Sequence, residues 1–327
     1  MRNLVTIAAF EFRTRVRRIS TWVYFTIFFA LAMLWAAAAG GVIPNAIVSF
    51  GSGKVWINSP YAIAQTMAFL GMVALTVIAA IMGRAVQQDF EYRTEHFFFT
   101  SPIRKWEYLG GRFAGAIATL VLILSSIAFG AALGLFLPGI DPDRVGPFRL
   151  LAYLIPFATI VLPNLFALGG AFFCIAALSR RMLPVYIGSV LLLIGYLAAQ
   201  GLLRDMENKV LGSMLDPFGV VANSRLTEYW SISERNTRLI PFEGLLLWNR
   251  LLWLGIGAVI LGICSYRFTF AYPGTSGKAR KGAVEADVTP AMATLLTVDP
   301  DPVSAWHLLP RMVWLNFRET CVSAGWH

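Results

Sequence analysis

Phe113 to Pro138 reads FAGAIATLVLILSSIAFGAALGLFLP, and no charged residue interrupts it from end to end. An α-helix needs roughly 20 apolar residues to cross about 30 Å of hydrocarbon, so this stretch can span a bilayer. Comparable blocks run from Ser20 to Ile43, Tyr61 to Gly83, Leu150 to Leu178, Leu183 to Leu203 and Gly244 to Tyr266. Over the whole chain 57% of residues are hydrophobic, 14% are charged and the mean hydropathy is +0.65. A soluble domain carries about 25% charged residues. Backbone groups in lipid must be satisfied within their own segment, so the blocks are read as helices. The fold class expected is all-α: a polytopic membrane protein with six transmembrane helices.

The first block follows a charged lead, exceeds the length of a signal-peptide core and lacks a convincing cleavage site, so it is read as a retained span. With the N-terminus inside, two thirds of the 27 Lys and Arg fall on the cytoplasmic side, as the positive-inside rule demands. Both termini are then cytoplasmic. That bias accounts for the net charge of +9, and no soluble basic domain is left to bind nucleic acid. Within residues 1–19, Leu4, Ile7, Ala8, Phe12 and Val16 share a helical face, while Arg13, Arg15, Arg17 and Arg18 crowd toward the first span. This is the pattern of an interfacial amphipathic helix, or of a basic flank to the span.

The fourth block contains Pro156, Pro163 and Asn164. Proline removes a backbone donor and clashes with the preceding turn, so a kink or break is expected there, serving either a pathway or packing. Small residues recur at helical spacing at Gly111 and Gly115, at Gly130 and Gly134, and at Gly255, Ala258 and Gly262, where helices can approach closely. Asn249 and Arg250 are read as snorkelling to the outer interface. Residues 204–243 mix acidic, basic and aromatic side chains and are expected to form a small external cap of short helices. Beyond Tyr272 the composition turns to Gly, Ser, Lys, Pro and Asp, as in a linker. Trp314 to Thr320 (WLNFRET) echoes Ala9 to Thr14 (AFEFRT), so 272–327 is read as a cytoplasmic linker and the possible start of a truncated second membrane unit.

Several chemistries have no support. There is no G-x-x-x-x-G-K-[ST] string to hold a nucleotide and no H-E-x-x-H; His96, His307 and His327 are scattered. Cys174, Cys264 and Cys321 lack the spacing of a zinc site or a disulfide framework. No span carries an ionisable residue at its centre, against a proton- or sodium-driven carrier. The chain is expected to be no enzyme and to hold no cofactor or metal.

Between the second and third blocks lies Asp89 to Arg112, DFEYRTEHFFFTSPIRKWEYLGGR, a charged and aromatic stretch within a loop at 84–112. Ser101 can cap a short helix that has Pro102 at its first position. That helix is expected from Pro102 to Leu109, with Arg104, Lys105 and Glu107 free and Trp106 or Tyr108 at the membrane interface. A solvated loop held by aromatic anchors is the alternative.

This arrangement resembles the permease subunits of type-2 ABC exporters. Their loop reads E-x-G-T, a short apolar run, S-P-[IV], a basic pair and Glu-Tyr/Leu-x-x-G-K/R. Glu91, Thr94, Phe97 to Phe99, Ser101, Pro102, Ile103, Arg104, Lys105, Glu107, Tyr108, Gly110 or Gly111, and Arg112 occupy those places, with Arg93 where the family has Gly. The linker and the WLNFRET echo are similar to a bacterial subgroup in which two membrane units precede a zinc aminopeptidase-like domain.

The resemblance implies a permease driven by a separate cytoplasmic ABC ATPase, with ATP and Mg on that partner, and with a second permease unit, either a homodimer mate or a fused second half. It implies the bacterial inner (plasma) membrane and a pathway along spans one, two and five. Glu91, Thr94, Ser101, Pro102, Ile103, Arg104, Lys105 and Glu107 would couple to the ATPase; Pro156, Pro163 and Asn164 would mark the break or pathway. The competing function is a membrane anchor or sensor that docks a cytoplasmic partner through 89–112 without transport.

Overall fold

A computed structural model describes residues 2–43, 50, 55–92, 103–204 and 209–269 of the chain, with the side chains of 201–204 and 209 left aside. Every described element is helical. α1 (Arg2–Val16) leads into α2 (Ile19–Ala39); α3 (Pro60–Val73) and α4 (Leu75–Glu91) follow, then α5 (Lys105–Leu133). A fourth span comprises α6 (Leu151–Pro156), a π-helical turn at Phe157–Val161 and α7 (Leu162–Ser179). Next come α8 (Leu183–Arg204), the short α9 (Lys209–Leu215), α10 (Val220–Leu226) and α11 (Ile232–Thr237), and α12 (Gly244–Arg267). All lie in one compact unit, Met1–Ala271.

Five helices are long and apolar enough to cross a membrane, and α3 with α4 makes a sixth candidate bent by 53°. Contacts at the two ends of the bundle decide that case. Asn58, just before α3, exchanges hydrogen bonds with Gly146, at 2.6 Å from its amide nitrogen to the carbonyl and 2.8 Å back from the Gly146 N–H. Trp56 N–H donates to Asn236 Oδ1 at 2.8 Å. At the opposite end, Phe90 of α4 lies 4.5 Å under the Arg180 guanidinium, which also donates to the Thr269 carbonyl at 3.1 Å. The bent pair therefore begins at one end and finishes at the other, as a single span, and the described residues hold six spans. The end holding 56–60, 134–150 and 209–243 is called the cap end, the other the loop end.

The second span departs from the single helix Tyr61 to Gly83 expected from hydropathy. It starts where Ser59 caps the Ala62 N–H at 3.2 Å and Pro60 fills the first turn. It bends at Ala74, where no proline stands, and continues through Gln88 and Asp89 to Glu91. The helix outruns the apolar block because those two polar side chains find partners inside the protein.

The fourth span is the most enclosed, with α4, α5, α8 and α12 around it. Pro163 has no N–H for the Thr159 carbonyl, and the helix widens into the π turn just before it. Thr159 Oγ1 donates to the Ile155 carbonyl at 2.8 Å within that turn. Phe113 of α5 packs edge-on against Phe166 and Phe173 of α7, with ring centroids 5.9 and 5.4 Å apart. Cys174 and Cys264, on spans four and six, are free thiols in contact with each other; Cys321 lies outside the described residues.

Glycines on α5 receive α1 and α2 in turn. A Cβ at Gly115 would stand 2.6 Å from Glu11 Cβ, and one at Gly130 would run into the Phe29 carbonyl. Asn3 meets Glu107, Ile7 meets Gly111 and Glu11 meets Gly115, four residues per step on both helices, so α1 runs parallel to α5. Backbones this close gain dispersion contacts along their whole length.

Candidate functional site

α1, the end of α4 and the start of α5 converge at the loop end, and each brings charge into the junction. On α1, Glu11 and Arg15 are one turn apart and pair at 2.5 Å between Oε1 and Nε. Arg112 of α5 reaches both ways: Nη1 pairs with Glu11 Oε2, and Nη2 pairs with Asp89 Oδ1 of α4 at 2.5 Å. Tyr108, one turn before Arg112, donates to Asp89 Oδ2 at 2.7 Å. Gln88 donates weakly to Glu11 at 3.5 Å and accepts from Arg18 at 3.4 Å.

Glu11, Arg15, Asp89 and Arg112 are each at most 6% exposed. Two cations face two anions, so the junction is close to neutral. Burial lowers the proton affinity of Arg15, and the Glu11 carboxylate opposes that shift; a guanidinium stays charged throughout. In so dry a place the pairs hold only as a set, because removing one member leaves another charge without compensation. The network thus ties the two stems of segment 93–102 to each other and to the lead helix.

Five of the residues expected to couple stand around it. Glu91, Arg104 and Lys105 are exposed at the stems, Ile103 is half-buried against the core, and Thr94, Ser101 and Pro102 lie outside the described residues. Glu107 is not free: it is buried and accepts from the Arg104 N–H at 3.2 Å and from Asn3 at 3.4 Å. Tyr108 is fully enclosed, whereas Trp106 is 41% exposed. The short helix expected from Pro102 to Leu109 is also corrected. α5 begins at Lys105 with Arg104 at its cap and runs unbroken to Leu133, since α1 packs on Gly110 and Gly111 and keeps them helical.

A second buried polar cluster occupies the cap end. Arg250 of α12 is fully enclosed, donating to Asn164 Oδ1 at 2.6 Å and to Asn249 Oδ1 at 2.8 Å. Asn249 donates to the carbonyls of Ser213 and Asp216 at 2.6 and 2.9 Å, and Asn164 to that of Phe218 at 3.0 Å. Asn249 and Arg250 therefore do not snorkel; they pin α9 and the turn before α10 onto spans four and six. Asn164, beside Pro163, is buried with both side-chain atoms engaged, while Pro156 ends α6 before the π turn. Among the described residues no group of three His, Cys, Asp or Glu could hold a metal.

Over residues 5–270 the sequence matches the family described as ABC-2 family transporter protein. This chain belongs to that family. It is a multi-pass membrane component of an ABC transporter, and membership implies a lipid bilayer around the bundle and a cytoplasmic ABC ATPase as partner. No curated protein matches at a significant level.

In this ABC-2 permease the junction of Glu11, Asp89 and Arg112 joins the lead helix to the two helices that flank segment 93–102, within the stretch whose motif resembles the family's. Sequence reading quoted Asp89 and Arg112 as part of that stretch without giving them a structural role, offered Tyr108 as an interface anchor where the structure encloses it, and passed over Glu11. The Glu11 and Arg15 spacing of one turn was the available signal.

Proposed function

We propose that this chain is the permease of an ATP-driven exporter, coupled through segment 89–112 to a separate ATPase that carries ATP and Mg. The supporting observation is the buried bridge from Glu11 through Arg112 to Asp89, which joins α1, span two and span three at the base of the exposed stems. A push on Glu91, Arg104 or Lys105 reaches all three elements as one body, because interlocked ion pairs transmit displacement without yielding. Thr94, Ser101, Pro102 and Ile103 complete the docking stretch in this reading.

Both termini are then cytoplasmic, the bundle lies in the bacterial inner membrane, and a second unit, homodimeric or fused, closes a pathway along spans one, two and five. Residues 20–271 form the permease domain, and 272–327 a linker toward that second unit.

Reconstitution with the partner ATPase in proteoliposomes tests the reading. Glu91→Ala with Arg104→Glu changes two exposed side chains, so the bundle stays folded. Hydrolysis stimulated by the permease then falls to the level of the ATPase alone, and transport stops. Full stimulation in the double variant would remove the loop from the mechanism. Retained docking without transport in the parent protein would favour an anchor or sensor.

A further inference from the structure

Two cavities adjoin at the cap end, of about 490 and 430 Å³, and share Tyr61 and Val220 in their walls. Both fall within the size range of small-molecule sites. Their linings differ in kind. The larger presents Gln200, Ser224, Arg225, Thr227, Glu228 and Arg235. The smaller runs between spans one, two and five over Trp35, Phe69, Met72, Tyr196 and Leu197.

Charge in the polar cavity is unbalanced. Arg225 is neutralised by Glu228 at 2.9 Å. Arg235 has no carboxylate partner among the described residues: its guanidinium lies 4.9 Å over the Tyr61 ring, and its Nε–H is buried with no acceptor among them. A half-buried guanidinium keeps its charge, and a desolvated donor without an acceptor is unfavourable until an anion fills the place. In the apolar cavity Trp35 stacks on Phe69 at 4.7 Å, and Phe69 and Leu197 remain 40% and 55% exposed.

We propose that the two cavities form one binding site for an amphiphile with an anionic headgroup, the head at Arg235 and the tail along Trp35, Phe69 and Leu197. The proposal rests on the permease reading, to which it adds the class of cargo. Tyr61 is the hinge between the halves, with its ring under the guanidinium and its edge on the apolar groove.

Binding to the purified full-length permease in neutral maltoside micelles tests this without any ATPase, so a failure of coupling would leave the result standing. The probes are a lysophosphatidylglycerol and a lysophosphatidylcholine carrying the same brominated chain, which quench nearby tryptophan. Subtracting a Trp35→Phe variant isolates the signal of Trp35 from the other nine of the chain's 10 tryptophans. The anionic probe should bind about tenfold more tightly than the zwitterionic one, the scale of a charge-assisted contact. Arg235→Gln should abolish that preference and Arg235→Lys should retain most of it. Glycerol phosphate, a head without a tail, should not compete. Equal binding of the two lysolipids, a preference that survives Arg235→Gln, or full competition by glycerol phosphate would each overturn the proposal; the last would make the site one for soluble anions.

Discussion

Asp89 and Arg112 stand on the two helices that flank segment 93–102, and their 2.5 Å ion pair is sealed from solvent. The second branch of the same guanidinium holds Glu11 on the lead helix. A single side chain thereby fixes the relative position of three elements, at the base of the stretch proposed to receive the ATPase.

Replacing Arg112 with alanine leaves Asp89 and Glu11 buried against each other, with Arg15 as the one remaining cation of the set. Breaking a buried pair in this way costs about 3–5 kcal/mol. Arg112→Lys restores a charge but not the fork that reaches both carboxylates, so it should recover only part of the loss. Thermal unfolding in detergent, followed by tryptophan fluorescence, should rank wild type above Arg112→Lys above Arg112→Ala. Unfolding temperatures that coincide would show that the network does not hold the junction.

The glycine face of α5 gives a sharper contrast. A methyl at Gly115 would sit 2.6 Å from Glu11 Cβ and 2.8 Å from the Ala8 carbonyl, whereas Gly255 on α12 has open space at its Cβ position. Overpacking of this kind costs about 1–3 kcal/mol, while Gly to Ala in an unobstructed helix gains up to about 1 kcal/mol. Gly115→Ala should therefore lower the unfolding temperature and weaken a disulfide engineered between positions 3 and 107, while Gly255→Ala should raise the temperature or leave it unchanged.

The spans were legible because hydropathy is local: a stretch such as Phe113 to Pro138 announces itself whatever surrounds it. The proline pair around the π turn was legible for the same reason. The Ala74 bend was not, since Val73, Ala74 and Leu75 are ordinary helix residues and no proline marks the place. The lead helix shows the limit most clearly. The face read from its apolar residues, Leu4, Ile7, Ala8, Phe12 and Val16, is half-buried, with Leu4 and Ile7 against Gly110 and Gly111 of α5, yet the fully enclosed residues are Glu11 and Arg15. Their burial depends on Arg112, about a hundred residues along, and no periodicity within α1 encodes that partner. Arg250 misled in the same manner: a lone arginine near a helix end has the option of snorkelling, and partners distant in sequence, Asn164 86 residues earlier among them, close that option.

Asp216 gives the cap end a dependence on pH. Burial raises its proton affinity above the ordinary 3.8, and N–H donors from Val221 and Phe218, with the charge of Arg250, offset only part of that. A carboxyl whose proton affinity is raised on folding stabilises the fold fully below its unfolded pKa, and that stabilisation is lost as pH rises through the folded value. Asp216→Asn removes the titration. The unfolding temperature of the variant relative to wild type should therefore climb as pH increases from 4 toward neutrality. A constant difference would mean that Asp216 is charged in the folded protein across that range.

The orientation proposed for the bundle rests on where charge collects, and two exposed aromatic residues can test it. Trp106 is 41% exposed at the loop end, and Tyr229 is 89% exposed at the cap end. Lys and Arg cluster around the first, in the lead helix and in the stems at Arg84, Arg104 and Lys105, so under the positive-inside rule the proposed orientation has that end in the cytoplasm. Cys174 and Cys264 are buried, and Cys321→Ser removes the remaining thiol, giving a background for single-cysteine labelling. In intact cells a membrane-impermeant maleimide should modify Tyr229→Cys and spare Trp106→Cys until the membrane is permeabilised. Labelling of Trp106→Cys from outside would invert the bundle and place segment 93–102 where no ATP-driven partner can reach it.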